Sequence, residues 1–194
     1  MPNDKVFKII KGSNPILLSA PHAFSHRRPS LTLSYKLAEE WTDDIVKEIC
    51  ANTGAWGIVL VDETDCDPNY YPLKSNEYKR EVANIVKEEK IKKFLDIHGL
   101  SDEHDFDIGI YYPSRFFNSI ALAESVSKGI SKGSLRGISS CILRFEDSDQ
   151  ETLGEFVASK LRVPSIQIEI ARYIREKQLL RNSFIENMSN LLRV

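Results

Sequence analysis

The stretch KKFLDIHG, residues 92–99, is an apolar run that ends abruptly in a histidine and a glycine. Its length and apolar content predict a short buried β-strand with the histidine at the carboxyl end. Residues 16–20 form a similar run that leads into His22, and residues 166–170 carry Glu169 among isoleucines. Ligands of open α/β sheets bind beyond the carboxyl ends of the strands. Three acid/base or metal-binding side chains at three such ends therefore predict a functional site.

Strand-length apolar runs alternate with segments of helical period along the whole chain. The predicted strands are residues 6–10, 16–20, 57–61, 92–98, 108–112, 138–143 and 165–170. The predicted helices are residues 36–50, closed by Gly54, and residues 75–89, 116–130, 152–161 and 175–192. This alternation predicts one α/β domain over residues 1–194, with a mixed, largely parallel central sheet flanked by helices.

Composition narrows the class of protein. The 194 residues are 42% hydrophobic and 28% charged, with a formal net charge of -2, which does not suggest a nucleic-acid-binding surface. No apolar run approaches the roughly 20 residues that span a bilayer. Three widely spaced cysteines, Cys50, Cys66 and Cys141, do not suggest a disulfide framework. We therefore expect a cytoplasmic protein with neither a nucleic-acid nor a membrane partner, and the sequence is silent on its oligomeric state.

The two histidines at strand ends, His22 and His98, favour a metal site. Imidazole is a common zinc ligand, and catalytic zinc keeps three protein ligands and one open position. Gly99, beside His98, indicates a close backbone approach or an unusual dihedral angle. From the residues alone, candidates for the third ligand are Glu40, Glu63, Asp96, His26 and Glu169.

Two carboxylates near these histidines suggest further roles. Asp96 lies two residues before His98, so both side chains point to the same side of a strand, where Asp96 can orient the histidine from behind. Glu169 would face water if its strand were a half-exposed edge. If that strand is central, burying Glu169 without a partner would be costly. A carboxylate near a metal-bound water is suited to act as a general base.

Four short blocks carry a resemblance to a known family. They are residues 17–23 (LLSAPHA), 40–42 (EWT), 96–99 (DIHG) and 167–172 (QIEIAR). In order and approximate spacing, from about residue 14 to 180, they resemble the N-formylglutamate amidohydrolase family, which belongs with the zinc carboxypeptidase-like hydrolases. The resemblance implies a mixed sheet between helices and one divalent zinc ion per chain.

The resemblance also implies which residues bind the metal. His22 would be the first ligand and His98 the last, with Glu40 as the middle ligand and Glu63 as the second choice for that position. Ser25 stands where the usual His-x-x-Glu spacing would place a glutamate.

The activity implied by the resemblance is hydrolysis of the amide bond of an N-acyl (N-formyl) amino acid or a small peptide-like molecule. Glu169 would be the general base, and Arg172 would bind a substrate carboxylate or the developing oxyanion. The expected partner is thus a small molecule that carries a carboxylate, for which an arginine is the natural ligand. Predicted substrate contacts are His26, Arg28, Asn69, Tyr70 and Arg80. The alternative is a non-catalytic small-ligand-binding protein that retains the hydrolase fold.

Overall fold

The computed structural model of the chain describes residues 5–28, 35–101, 103–113, 116–145 and 151–193. The strands are β1 (Phe7–Ile10), β2 (Asn14–Ala20), β3 (Ala55–Leu60), β4 (Lys93–Leu100), β5 (Ile108–Tyr112), β6 (Ser140–Arg144) and β7 (Ser165–Ala171). The α-helices are α1 (Thr42–Thr53), α2 (Glu77–Glu88), α3 (Asn118–Ile130), α4 (Leu153–Lys160), α5 (Arg172–Glu176) and α6 (Gln178–Leu192). Short 3₁₀ turns occupy Leu73–Ser75 and Gly133–Leu135.

All seven strands belong to one sheet, in the order β1-β3-β2-β4-β7-β5-β6. Strand β2 pairs in parallel with β3 and β4, β4 pairs in parallel with β7, and β5 pairs in parallel with β6. The β1–β3 and β5–β7 pairs are antiparallel. The mixed, largely parallel α/β fold predicted from the sequence is therefore confirmed. Because β2, β4 and β7 are neighbours that run in one direction, their carboxyl ends lie side by side.

Strand β4 occupies the centre of the sheet, and its apolar side chains Phe94, Leu95 and Ile97 are fully buried. Such a continuous apolar run is typical of a parallel strand covered on both faces. Helices α1, α3 and α6 pack along one face. Helices α2 and α4 meet on the other, where Lys79 lies 5.6 Å from the centre of the Phe156 ring. None of the helices in the described ranges combines the length and apolar character needed to cross a bilayer.

Helix α1 begins at Thr42, later than predicted. The backbone of Lys36 exchanges hydrogen bonds with that of His26, and Trp41 has a left-handed backbone with φ of 72°. Both features interrupt helical geometry before Thr42. The helix ends as predicted at Gly54, whose φ is 69°. Because α1 starts late, the residues just before Thr42 form a turn near the carboxyl ends of β2 and β4.

Candidate metal centre

Neighbouring strand ends bring the predicted histidines and Glu169 together. His22 follows β2, His98 lies in β4 and Glu169 lies in β7. His98 and Glu169 are direct neighbours in the register of β4 and β7. Because β7 is an interior strand, the interpretation of Glu169 as a water-facing residue of a half-exposed edge is wrong. Glu169 instead lines a cavity at the carboxyl ends of the strands.

The carboxylate between the two histidines belongs to Glu39. Its Oε1 lies 3.2 Å from Nδ1 of His22, and its Oε2 lies 3.2 Å from Nδ1 of His98. Glu40, the predicted middle ligand, has a side chain that is 61% exposed and lies 3.7 Å from the guanidinium of Arg172. The structure therefore places Glu39, and not the predicted Glu40, between the histidines, because the turn before α1 presents Glu39 to them.

A tight turn holds Glu39 in this position. Its N–H donates to the carbonyl of His22 at 2.8 Å, and its own carbonyl accepts a hydrogen bond from the Thr42 hydroxyl at 2.8 Å. Trp41 completes the turn with its left-handed φ, which is strained for a bulky residue. The Arg181 guanidinium lies 4.1 Å from the centre of the Trp41 ring, and this cation–π contact offsets part of the strain.

Gly99 allows two side chains to approach β4 closely, as the sequence suggested. A β-carbon at this position would lie 2.8 Å from Nη2 of Arg175 and 3.1 Å from Cβ of Glu39. The N–H of Gly99 donates to Oε2 of Glu39 at 2.9 Å. Arg175 in turn donates to the carbonyls of Ile170 and Glu40, at 2.9 and 2.5 Å. One buried arginine therefore ties the end of β7 to the turn that carries Glu39.

The outer nitrogen of each histidine ring contacts a fully buried aspartate. Nε2 of His22 lies 2.9 Å from Oδ1 of Asp67, and Nε2 of His98 lies 3.0 Å from Oδ2 of Asp96. Each ring therefore lies between two carboxylates, and with a cation bound at its Nδ1 it would carry its hydrogen on Nε2, toward the aspartate. Asp96 lies behind His98 as predicted, whereas the sequence did not assign this position behind His22 to Asp67.

Two imidazole Nδ1 atoms and a carboxylate that face one another form a set of ligand atoms able to bind a cation. Donor atoms about 2.1 Å from a tetrahedral zinc ion lie about 3.4 Å apart, close to the 3.2 Å separations between Glu39 and the two histidines. Without a metal, protons supply the charge. Burial alone would lower the pKa of His98, but the charges of Asp96 and Glu39 outweigh it and raise that pKa well above its usual value. The residues therefore fit one divalent ion held by His22, Glu39 and His98.

A second group of ligand-type side chains lies behind His22 and comprises His22, His26 and Asp67. The two histidine rings stack with centroids 4.0 Å apart. Nε of Arg28 already donates to Oδ2 of Asp67 at 2.8 Å, so a cation pairs with this carboxylate. Burial, followed by the charge of His22, lowers the pKa of His26 to about 4, which keeps it neutral. His26, predicted as a substrate contact, is fully buried and supports His22 instead of lining the cavity.

The cavity over the candidate metal centre has a volume of about 300 Å³. Three of the predicted substrate contacts, Arg28, Asn69 and Tyr70, line it together with Glu169. The Arg28 guanidinium lies 4.6 Å from the centre of the Tyr70 ring, and its Nη1 donates to the Tyr70 hydroxyl at 3.3 Å. The side-chain oxygen of Asn69 accepts a hydrogen bond from the Leu153 N–H at 2.8 Å. Arg28 and Asn69 are thus held in place at the cavity wall.

Other residues line the cavity without having been predicted there. They are Lys36, Glu39, Ser101, His104, Phe145, Thr152 and Gln167. Burial, followed by the charge of Arg28, lowers the pKa of Lys36. Apart from Gln167, which follows the strand pattern of β7, these residues come in pairs from three connections, those before α1, after β4 and between β6 and α4, so no single sequence pattern connects them.

Besides Glu40, His26 and Asp96, three more predicted site residues lie outside the cavity lining. Arg80 is exposed on α2 and donates to two carbonyls of the preceding 3₁₀ turn, at 3.1 and 2.7 Å. Glu63 is exposed in the loop after β3, so it is not beside the histidines. The Arg172 side chain is 58% exposed, and its Nε lies 2.5 Å from Oε1 of Glu176. Because α5 starts at Arg172, its next turn directs Arg175, and not Arg172, against β4.

No protein-family model matches the sequence, and no curated protein sequence matches it. Several solved structures share the fold. A gene product from Agrobacterium tumefaciens has a TM-score of 0.68 at 15% identity, over 97% of this chain and 94% of that chain. The succinylglutamate desuccinylase from Chromobacterium violaceum has a TM-score of 0.62 at 11% identity, over 94% of this chain and 64% of that chain. An N-acetylmuramoyl-L-alanine amidase of Nostoc punctiforme has a TM-score of 0.52 at 19% identity, over 93% and 97%. These likenesses show the fold alone, the mixed α/β architecture expected from the sequence.

Proposed function

We propose that this chain is a zinc-dependent amidohydrolase that cleaves the amide bond of a small N-acyl amino acid. The observation that carries the proposal is the pair of histidine Nδ1 atoms, each 3.2 Å from an oxygen of Glu39. Each ring is oriented by an aspartate on its far side, an arrangement typical of metal-binding histidines. Support also comes from the names of two proteins that share the fold, an amidase and a desuccinylase.

The proposed mechanism needs a Lewis acid, which a bound metal would supply, and a general base, which is Glu169. When bound by His22, Glu39 and His98, zinc supplies a Lewis acid that polarises a carbonyl and acidifies a water. Glu169 accepts a proton from the attacking water and passes it to the leaving nitrogen. The carbon–nitrogen bond breaks, the water oxygen joins the acyl carbon, and the products are a carboxylic acid and a free amine.

The position of Arg28 is the reason why we assign a carboxylate to the proposed substrate. Asp67 and Tyr70 hold the guanidinium at the cavity wall, so little side-chain freedom is lost when an anion binds. A guanidinium is suited to two parallel hydrogen bonds with a carboxylate. The cavity of about 300 Å³ matches a small molecule. Within that class, the resemblance to N-formylglutamate amidohydrolases makes N-formyl amino acids the first compounds to test.

The cytoplasm is the compartment we propose for this reaction. All three cysteines are free thiols. Reduced cysteines are the rule in a reducing compartment.

The test is a hydrolysis screen of the zinc-loaded protein with N-formyl, N-acetyl and N-succinyl amino acids, measured as released amine. We expect at least one compound to be hydrolysed. Glu169→Gln is expected to lower kcat by roughly a hundredfold or more, because it removes the general base, while leaving the zinc content unchanged. The matched control is Glu176→Gln, which alters a glutamate whose side chain is 44% exposed and pairs with Arg172; it should retain full activity.

Two outcomes would contradict the proposal. A protein that binds no zinc under any loading condition would remove its basis. A zinc-loaded protein that binds a compound of the panel, yet releases no amine, would support the alternative of a non-catalytic small-ligand-binding protein.

A further inference from the structure

Gln167 occupies an unusual position for a polar residue. It lies in the interior strand β7, with Asp96 on one neighbouring strand and Tyr111 on the other, and it is only 7% exposed. Residues two apart in a strand point to the same face, and Glu169 therefore shares its face. Nε2 of Gln167 donates to Oε1 of Glu169 at 2.7 Å. A buried amide thus contacts the carboxylate to which we assign the role of general base.

The hydrogen bond fixes the orientation of the Gln167 amide. A carboxylate has no proton to donate, so the nitrogen of the amide must face Glu169 and the oxygen must face away. That oxygen is buried and has no hydrogen-bond partner within the described part of the chain. Leaving a buried acceptor unpaired is unfavourable. An apolar side chain of similar length would avoid this cost, and water in the cavity could replace the amide at the partly exposed Glu169, so packing and stability do not explain a glutamine here.

We propose that Gln167 is a positioning residue that holds the Glu169 carboxylate in its reactive orientation. This inference rests on the proposed function. The amide N–H occupies Oε1 of Glu169 and leaves Oε2 to accept the proton of the attacking water. Because the same hydrogen bond is present before and during the reaction, its loss acts on the alignment of Glu169 and leaves substrate affinity nearly unchanged.

A purely structural role for Gln167 and a positioning role predict different changes in melting temperature when the residue is replaced. If the glutamine merely filled the sheet interior, its replacement would lower the melting temperature, and any loss of activity would follow the loss of folded protein. If it is kept for positioning, an apolar replacement removes an unpaired buried oxygen and leaves stability equal or higher, while activity falls.

The experiment compares wild type with Gln167→Met, which keeps the length of the side chain but lacks the donor. On the N-acyl amino acid that the wild type hydrolyses best, we expect kcat to fall about tenfold, in line with the loss of a hydrogen bond to a charged group. We expect KM to stay within about twofold and the melting temperature to be unchanged or higher. Gln167→Glu, which places a second carboxyl group against Glu169 so that the pair retains a proton, is expected to lower kcat at least as far.

Ser119→Ala is the matched control. This buried hydroxyl lies on α3 and accepts a hydrogen bond from the Ser165 N–H at 2.9 Å, at the start of the same strand. It should lower the melting temperature and leave kcat unchanged. The inference is overturned if Gln167→Met keeps its kcat, or if its kcat and melting temperature fall together as expected for a structural role. A zinc-loaded wild type that hydrolyses no compound of the panel would instead overturn the proposed function, and this inference with it.

Discussion

Replacing Glu39 or Glu40 by glutamine, one at a time, distinguishes the contributions of these two adjacent residues to zinc binding. Each substitution removes one negative charge and hardly changes volume. The Glu39 carboxylate lies between His22 and His98, and its side chain is 17% exposed. The Glu40 side chain is 61% exposed. We expect Glu39→Gln to weaken zinc binding severely and Glu40→Gln to leave it almost unchanged.

The expected change in the Kd for zinc follows from the different surroundings of the two carboxylates, one enclosed by the histidines and one exposed. Two unit charges 4 Å apart interact by about 4 kcal/mol at an effective dielectric constant of about 20, and a divalent ion in direct contact interacts more strongly. A loss of about 4 kcal/mol corresponds to roughly a thousandfold increase in the Kd for zinc. Exposed ion pairs are worth about 1 kcal/mol or less, so Glu40→Gln should change this Kd by less than about fivefold.

The assay is competition for zinc against a chromophoric chelator of known affinity. Circular dichroism of the metal-free variants checks that both are folded. Equal Kd values for Glu39→Gln and wild type would refute the assignment of Glu39 as a ligand. A larger effect at Glu40 would restore the assignment made from the sequence.

Three further predictions concern the cavity, the backbone and the metal-free state. Arg28→Met should raise KM for a carboxylate substrate by roughly tenfold or more through loss of a charged hydrogen bond, whereas the exposed Arg80→Met should not; equal effects in steady-state kinetics would exclude Arg28 as the anion contact. Gly99→Ala should destabilise the fold by about 1–3 kcal/mol in urea unfolding, as overpacking does, because the new β-carbon would lie 2.8 Å from a guanidinium nitrogen; an unchanged midpoint would contradict the close approach. The pKa of His98 is raised in the fold from its ordinary 6.5. The metal-free protein therefore gains stability from this group below about pH 6.5 and loses that stability as the pH rises through the higher folded pKa. A urea midpoint that stays constant between pH 6 and 9 would contradict this prediction.

Much of the fold is visible in the sequence because buried parallel strands are short apolar runs. The strand that carries His98 lies between the strand that precedes His22 and β7 in the sheet, so three strand ends sufficed to locate the site. The helix C-terminus at Gly54 was also predictable, since glycine accepts the left-handed backbone that ends a helix. These features depend on local chemistry, and local chemistry is what the sequence displays.

The errors arose where position depends on three-dimensional packing. Glu39 and Glu40 are adjacent and chemically identical, and the left-handed backbone of Trp41 decides which one faces the histidines. Arg172 and Arg175 lie on one short helix, and the start of that helix decides which one is buried. No periodicity in the sequence contains this information.

The role of Asp67 was missed for a different reason. It reaches His22 across a loop and is separated from it by 45 positions in the sequence. Two other residues of this loop, Asn69 and Tyr70, were predicted as substrate contacts. Which of its side chains turns inward is determined by contacts with Arg28 and Asn69, which only the folded chain reveals.

The most direct test of the central claim is anomalous diffraction at the zinc edge from crystals of the zinc-loaded protein. The account predicts one strong peak about 2.1 Å from Nδ1 of His22, Nδ1 of His98 and a carboxylate oxygen of Glu39. A peak among His22, His26 and Asp67, or no peak although the crystallised protein is folded, would contradict this account.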